Sequence, residues 1–154
     1  MSLASLYIVV HILSAVVWVG GMFFAYVCLR PVAASLLEPP QRLSLWVGIF
    51  NRFFPLVWVA VILLPLSGYL MVFLFWQGLH VAPAYVHIMN GLGLLMIVVF
   101  SHVYFASFKK LKKAVLNEDW QTGAGALAKI RKLVALNLTL GLLVVTVASS
   151  GRYL

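Results

Sequence analysis

Residues 5–29, SLYIVVHILSAVVWVGGMFFAYVCL, decide the fold of this chain. The stretch exceeds the roughly 20 apolar residues that a helix needs to cross a bilayer. It contains no Lys, Arg, Asp or Glu, but it carries an imidazole at His11. An ionisable side chain at membrane depth is costly and rare, so His11 is the first functional-site candidate.

The remainder of the chain has the same character. Hydrophobic residues make up 64% of the sequence and charged residues 9%, and the mean hydropathy is +1.09. Such a chain cannot keep a polar surface in water, and it leaves no room for a soluble domain. We therefore expect an all-α fold, a single bundle over residues 1–154 with four transmembrane helices at about 5–29, 54–76, 84–108 and 133–154.

The basic residues predict the orientation of this bundle. They concentrate in the first and third connections, at Arg30, Arg42, Arg52, Lys109, Lys110, Lys112, Lys113, Lys129, Arg131 and Lys132. Because cytoplasmic loops carry the excess of Lys and Arg, both termini should face outward, into the periplasm if this is a bacterial inner membrane. The net charge of +8 is then a topological signal, strengthened by attraction to anionic lipid headgroups, and not a nucleic-acid-binding feature.

Two connecting segments carry patterns of their own. After Pro39-Pro40, the residues Leu43, Trp46, Val47 and Phe50 recur at helical spacing. This pattern predicts a short separate helix lying in the cytoplasmic interface. The small-residue run at 122–125 predicts a break in the chain before the fourth helix.

The histidines fall at different depths. At 1.5 Å per residue, His11 lies about 10 Å from the outer end of its helix and His87 about 5 Å from the outer end of the third. His102 follows His87 by about 22 Å along the same helix, in the inner half of the bilayer. His11 and His87 are therefore level with one another, and His102 is not.

Two imidazoles at one depth suit haem b held between helices of a bundle, with His11 and His87 as axial ligands. Trp18, on the same helix face as His11, would pack on the cofactor, and Asn90, on the face of His87, would orient a ligand. His102 is a further candidate ligand. Arg152 is the basic residue predicted on the outer side, where it could pair with a propionate. Plain packing or interhelical hydrogen bonding remains open for Trp18 and Asn90.

Copper is the competing ligand, because imidazole and thioether groups both suit it. His11, His80, His87 and Met89 could gather near the outer surface for this purpose. Cys28 is the single cysteine, so neither an intramolecular disulfide nor a two-thiol site within one chain is available. A third reading is a structural or assembly subunit without a cofactor.

The sequence also resembles a known family. The run from His11 to Gly21, the Leu29-Arg30-Pro31 ending and Tyr85-Val86-His87 are similar to the copper-resistance D (CopD) domain and the related HemJ-type membrane proteins. The resemblance implies a four-helix inner-membrane protein, either one that handles or takes up copper at the periplasmic face or one that binds haem b and oxidises protoporphyrinogen. His11 and His87 match family histidines, and Arg30 matches a basic residue.

One position departs from the HemJ pattern. Where HemJ-like sequences usually carry a lysine two residues after the third-helix histidine, this chain has Met89. Our leading hypothesis is therefore a CopD-like membrane redox protein that binds haem b and exchanges electrons with an unidentified donor or acceptor. Copper binding or uptake is the alternative, and protoporphyrinogen oxidation is the second alternative, so enzyme status stays open. The glycines at 20–21 and 91–93 are compatible with either a closed monomer or a homo-oligomer.

Overall fold

Four long helices make up the protein in the computed structural model, which describes residues 2–151 and Tyr153. They are α1 (Leu3–Leu36), α2 (Pro39–Trp76), α3 (Ala84–Leu116) and α4 (Trp120–Ser150). All four are long and apolar enough to cross a membrane. A single 3₁₀ turn (Leu79–Val81) lies between α2 and α3, and the described residues form no strand. The prediction of an all-α bundle with four membrane helices is confirmed.

Local sequence signals define the helix ends. The Ser2 side chain accepts a hydrogen bond from the backbone N–H of Ser5 at 3.2 Å, which caps α1. The α2 helix starts at a proline pair, whose missing N–H groups cost nothing in the first turn. The Asp119 carboxylate accepts from the N–H of Thr122 at 3.1 Å and caps α4. Gln77, in the left-handed conformation with φ 60°, ends α2.

Two sequence predictions about the connections were wrong. The segment 39–52 is not a separate interfacial helix, because it continues without interruption into α2. Its apolar residues, such as Leu43 and Trp46, are buried in the protein core and do not lie in a lipid interface. The small-residue run at 122–125 does not break the chain either, since it lies inside α4. A Cβ at Gly123 would lie 3.1 Å from Leu43 Cδ1, so the glycine allows α4 to pack closely on α2.

The two ends of the bundle differ in charge. We call the end with residues 3, 76–84 and 150 the terminal end, and the end with residues 30–42 and 109–132 the basic end. Helix α1 packs on α2, α3 packs on α4, and the basic ends of α2, α3 and α4 pack together. Which end faces the cytoplasm stays a prediction from the distribution of Lys and Arg.

Aromatic rings form much of the buried core. Phe54 stacks on Phe50 with 4.8 Å between ring centroids and meets the rings of Phe100 and Phe108 edge-on at 5.5 and 4.9 Å. Edge-to-face and offset-stacked pairs are the favourable arrangements of aromatic quadrupoles. This cluster joins α2 to α3 in the half of the bundle nearer the basic end.

Helix α1 departs from regular α geometry in π-helical turns at Val16–Gly20 and Phe24–Leu29. Such turns widen a helix and often occur at functional sites. Gly21 lies between them, and a Cβ there would overlap the ring of Phe53 on α2. The neighbouring Gly20 has no heavy atom within 4 Å of its Cβ position. The two adjacent glycines therefore differ sharply in what surrounds them.

We expect Gly21→Ala to destabilise the protein by about 1 kcal/mol or more, because Phe53 must move to admit the methyl group. Gly20→Ala is the matched control, and it should be neutral or stabilising, since alanine is up to about 1 kcal/mol better than glycine in a helix. Thermal unfolding of both variants in the same detergent measures the difference. Equal midpoints for the two variants would contradict the described contact between α1 and α2.

Candidate functional site

A cavity of about 250 Å³ lies between the four helices toward the terminal end. Its wall includes His11 and Trp18 of α1, Tyr69 of α2, Asn90 of α3 and Gly141 of α4. Most of its other lining side chains are apolar. Mostly apolar walls with a few polar groups are typical of ligand-binding cavities.

His11 is the histidine in this wall. Its ring is half-buried, and Nδ1 lies 3.0 Å from the Ser67 Oγ of α2. The Ser67 hydroxyl donates its one proton to the carbonyl oxygen of Leu63 at 2.5 Å. It can therefore only accept from His11, which assigns the proton of a neutral imidazole to Nδ1 and leaves the Nε2 lone pair free to bind a ligand.

The backbone beside His11 is shaped to admit the ring. A Cβ at Gly68 would lie 3.3 Å from His11 Cε1. That separation is tighter than an ordinary van der Waals contact, so a larger residue at this position would push the imidazole away from α2. Ser67 and Gly68 together fix both the orientation of the ring and its distance from the helix.

Three methionines line the same cavity: Met71 of α2 and Met89 and Met96 of α3. Met96 is 4% exposed, and its terminal methyl group would be 3.2 Å from a Cβ at Gly141. Among the described residues, no Asp or Glu lines the cavity. The donor groups available to a ligand are therefore mainly soft thioethers and one imidazole.

Tyr69 and Asn90 connect α2 to α3 in the cavity wall. The Tyr69 hydroxyl donates to Asn90 Oδ1 at 2.8 Å. Trp18, which is 3% exposed, packs edge-on against Phe100 with 6.0 Å between ring centroids. Trp18 also lines a second cavity of about 250 Å³ on the side of the basic end. Its indole therefore separates the two cavities.

The structure brings together only some of the residues predicted from sequence. His11, Trp18 and Asn90 line one cavity, whereas His87 is exposed on α3 and is not part of that wall. The neighbours of His87, Val86 and Met89, do line it.

The other predicted histidines lie elsewhere. His80 and His102 are exposed, and Arg152 lies outside the described residues. Within residues 2–151 and at Tyr153, no three or more His, Cys, Asp or Glu side chains are grouped so that they could hold a metal ion. The ligand roles of His87 and His102 stay predictions.

Sequence reasoning treated most of the methionines as core filler and did not identify Met71, Met96 or Ser67 as part of a site. The spacing of two of the methionines could have indicated that they share a helix face. Met89 and Met96 are seven residues apart, which is two turns, so they share a helix face. Ser67 and Met71 are four residues apart and also share a face. That these two faces line the same cavity as His11 depends on tertiary packing.

A family model described as "Copper resistance protein D" (CopD) matches residues 47–150 of the chain. The chain belongs to the CopD family. No curated protein matches it, and no solved structure matches it. A relationship to HemJ-type proteins stays a prediction.

The CopD match covers only part of the residues that line this cavity. It covers α3 and α4 completely, together with α2 from Val47 onward. Ser67 and the three cavity methionines lie inside the matched region, whereas His11 and Trp18 on α1 precede it. The site of this CopD-family protein is therefore completed by a helix outside the region that the family model matches.

We expect Ser67→Ala to release the His11 ring from its single orientation, because the hydroxyl that accepts from Nδ1–H is removed. In protein with ¹⁵N-labelled histidine, the wild-type His11 signals should report one Nδ1-protonated tautomer. The Ser67→Ala variant should give a mixture of tautomers. His11→Gln assigns the signals, and Thr139→Ala, which removes an exposed hydroxyl on α4, is the control. A wild-type mixture of tautomers would contradict the assignment.

Proposed function

We propose that this CopD-family membrane protein binds copper, as the cuprous ion, in the cavity near the terminal end of the bundle. The observation that carries the proposal is that the His11 imidazole and three thioethers line one cavity. Copper is here a substrate or cargo of the protein. The family description points in the same direction, since it names copper resistance.

The chemistry of the donors favours this ion over other metals. Thioether ligands select Cu(I), and imidazole is also a good copper ligand. Hard cations such as Mg²⁺ and Ca²⁺ require oxygen ligands, usually including carboxylates, and no carboxylate lines this cavity within the described residues. Met71, Met89 and Met96 would supply soft donors, and the oriented His11 would supply Nε2.

The second cavity supports movement of copper as well as binding. It lies beyond Trp18 and is lined by Met22 of α1 and Asn137 of α4. Asn137 is buried, its Nδ2 donates to the Met96 carbonyl oxygen at 3.3 Å, and its Oδ1 accepts no hydrogen bond from the described residues. An unpaired amide oxygen deep in a membrane bundle is expensive unless it serves a ligand or water, and the Met22 thioether beside it is a soft donor. We therefore extend the proposal to copper uptake past Trp18.

Haem b remains a hypothesis from the sequence. Axial ligation of haem b by both His11 and His87 would require the two imidazoles to face one cofactor. His87 is exposed and does not line the cavity that His11 lines. This placement favours copper over bis-histidine haem within one chain.

Competition against a colorimetric cuprous chelator tests the proposal with the full chain in detergent. We expect one high-affinity Cu(I) per chain. His11→Ala and Met89→Leu should each weaken Cu(I) binding by about tenfold or more. Even the loss of a residue that only hydrogen-bonds to a metal ligand lowers metal affinity by about 10–100-fold. His102→Ala and Met22→Leu are matched controls, because neither residue lines the cavity toward the terminal end. Both variants should bind Cu(I) within about twofold of the wild type.

Two results would overturn the copper proposal. One is an unchanged Cu(I) affinity in both His11→Ala and Met89→Leu. The other is a low-spin haem spectrum of the purified protein that disappears in both His11→Ala and His87→Ala. For the uptake step, Met22→Leu should slow the accumulation of copper in vesicles. It should leave unchanged the equilibrium affinity for Cu(I) of the cavity toward the terminal end.

A further inference from the structure

A third cavity lies at the basic end, between α1, α2 and α4, and has a volume of about 230 Å³. Each of these helices contributes one arginine to it: Arg30, Arg42 and Arg131, respectively. Among the described residues, no acidic side chain lines this cavity. Three guanidinium groups thus share one recess without a carboxylate in its wall.

The cationic residues of this cavity are all arginines. The chain has five arginines and six lysines, and three of the arginines but none of the lysines line the recess. A guanidinium group offers five donors in a planar fork that fits the oxygens of a phosphate, whereas an ammonium group acts as a point charge. The composition therefore indicates a phosphate-bearing ligand and not merely a positive surface.

The arginines are held by weak contacts that leave most donors available. The Arg30 guanidinium lies over the Tyr26 ring, 4.4 Å from its centroid. Arg42 Nη1 donates to the carbonyl oxygen of Ala34 at a long 3.5 Å. Arg30 and Arg42 are half-buried, whereas Arg131 is exposed. An anion in the cavity would offset the three positive charges in its wall.

The depth of the cavity argues for an amphiphilic anion. Beyond the arginines its wall is apolar and aromatic, with Trp46, Phe50, Leu127 and Val134. Arg30 is the first Lys or Arg after the apolar stretch of α1 that ends at Leu29, so it lies where hydrocarbon gives way to headgroups. Free phosphate would gain nothing from the apolar wall, but a lipid would place an acyl chain against it.

We propose that this cavity is a specific site for an anionic phospholipid, with the lipid phosphate bound between Arg30, Arg42 and Arg131. Basic pockets between transmembrane helices bind acidic headgroups in this way. The lipid phosphate bridges α1, α2 and α4 at the basic end, and its acyl chain lies along the apolar wall. The inference does not rest on copper binding, since this cavity shares no lining residue with the cavity that contains His11. It shares Ala25, Phe50 and Val134 with the second cavity.

Native mass spectrometry of the delipidated full chain, titrated with phosphatidylglycerol in neutral detergent, tests the site. Arg30→Gln, Arg42→Gln and Arg131→Gln should each weaken phosphatidylglycerol binding by about tenfold, because each removes a charge-assisted phosphate contact. Arg52→Gln, Lys129→Gln and Lys132→Gln are matched controls. They remove the same charge from exposed positions outside the cavity wall, and they should change binding by less than about twofold.

Two further titrants identify the source of the phosphate. Phosphatidylcholine should bind at least about tenfold more weakly than phosphatidylglycerol, since its headgroup has no net charge, and inorganic phosphate should not compete at millimolar concentration. Equal effects of the cavity and control substitutions would overturn the proposal, as would full competition by inorganic phosphate. If a glutamine variant fails to fold, Arg42→Lys provides a second test. It keeps the positive charge but removes the planar guanidinium that can bind two phosphate oxygens at once. It should weaken binding, and unchanged affinity would count against the proposal.

Discussion

The constraint on which this structure depends is that a bilayer offers no water to a polar group. Backbone groups must be paired within helices, and each buried side-chain donor or acceptor must find a partner in the chain. The four long helices meet the first requirement. The second is met partly within helices, as by Ser67 with the Leu63 carbonyl oxygen, and partly between them. Three contacts join different helices: His11 with Ser67, Tyr69 with Asn90 and Asn137 with Met96. These bonds also shape the cavities.

The same constraint separates the chemistry of the two ends. The cavity toward the terminal end contains mainly soft, uncharged donors, which can bind a monovalent cation without a buried carboxylate. The cavity at the basic end contains arginines at the level where lipid headgroups begin. One end is therefore suited to a soft cation and the other to an anion.

Sequence reasoning succeeded where composition alone carries the information. The four membrane helices follow from hydropathy, and His11 was identified because an imidazole at membrane depth is rare. It failed where tertiary packing decides. Residues 39–52 were assigned to the lipid interface because amphipathic periodicity cannot distinguish a face buried against lipid from one buried against other helices. The pairing of His11 with His87 by depth stays a prediction, because rise per residue gives no information about which way a helix is rotated. The structure places His87 on an exposed face outside the cavity wall that His11 lines. Met71 and Met96 were missed for the same reason.

The length of α2 has a mechanical consequence. Its 38 residues extend about 57 Å at 1.5 Å per residue, while the hydrocarbon core of a bilayer is only about 30 Å thick. The helix is therefore longer than the hydrocarbon core requires, and it remains continuous through Pro55 and Pro65. It carries Arg42 near one end and Ser67, the anchor of His11, about 37 Å away along its axis. One continuous helix thus contributes an arginine to the basic-end cavity and the hydroxyl that orients His11 in the other, so any displacement of α2 relative to α1 changes both cavities together.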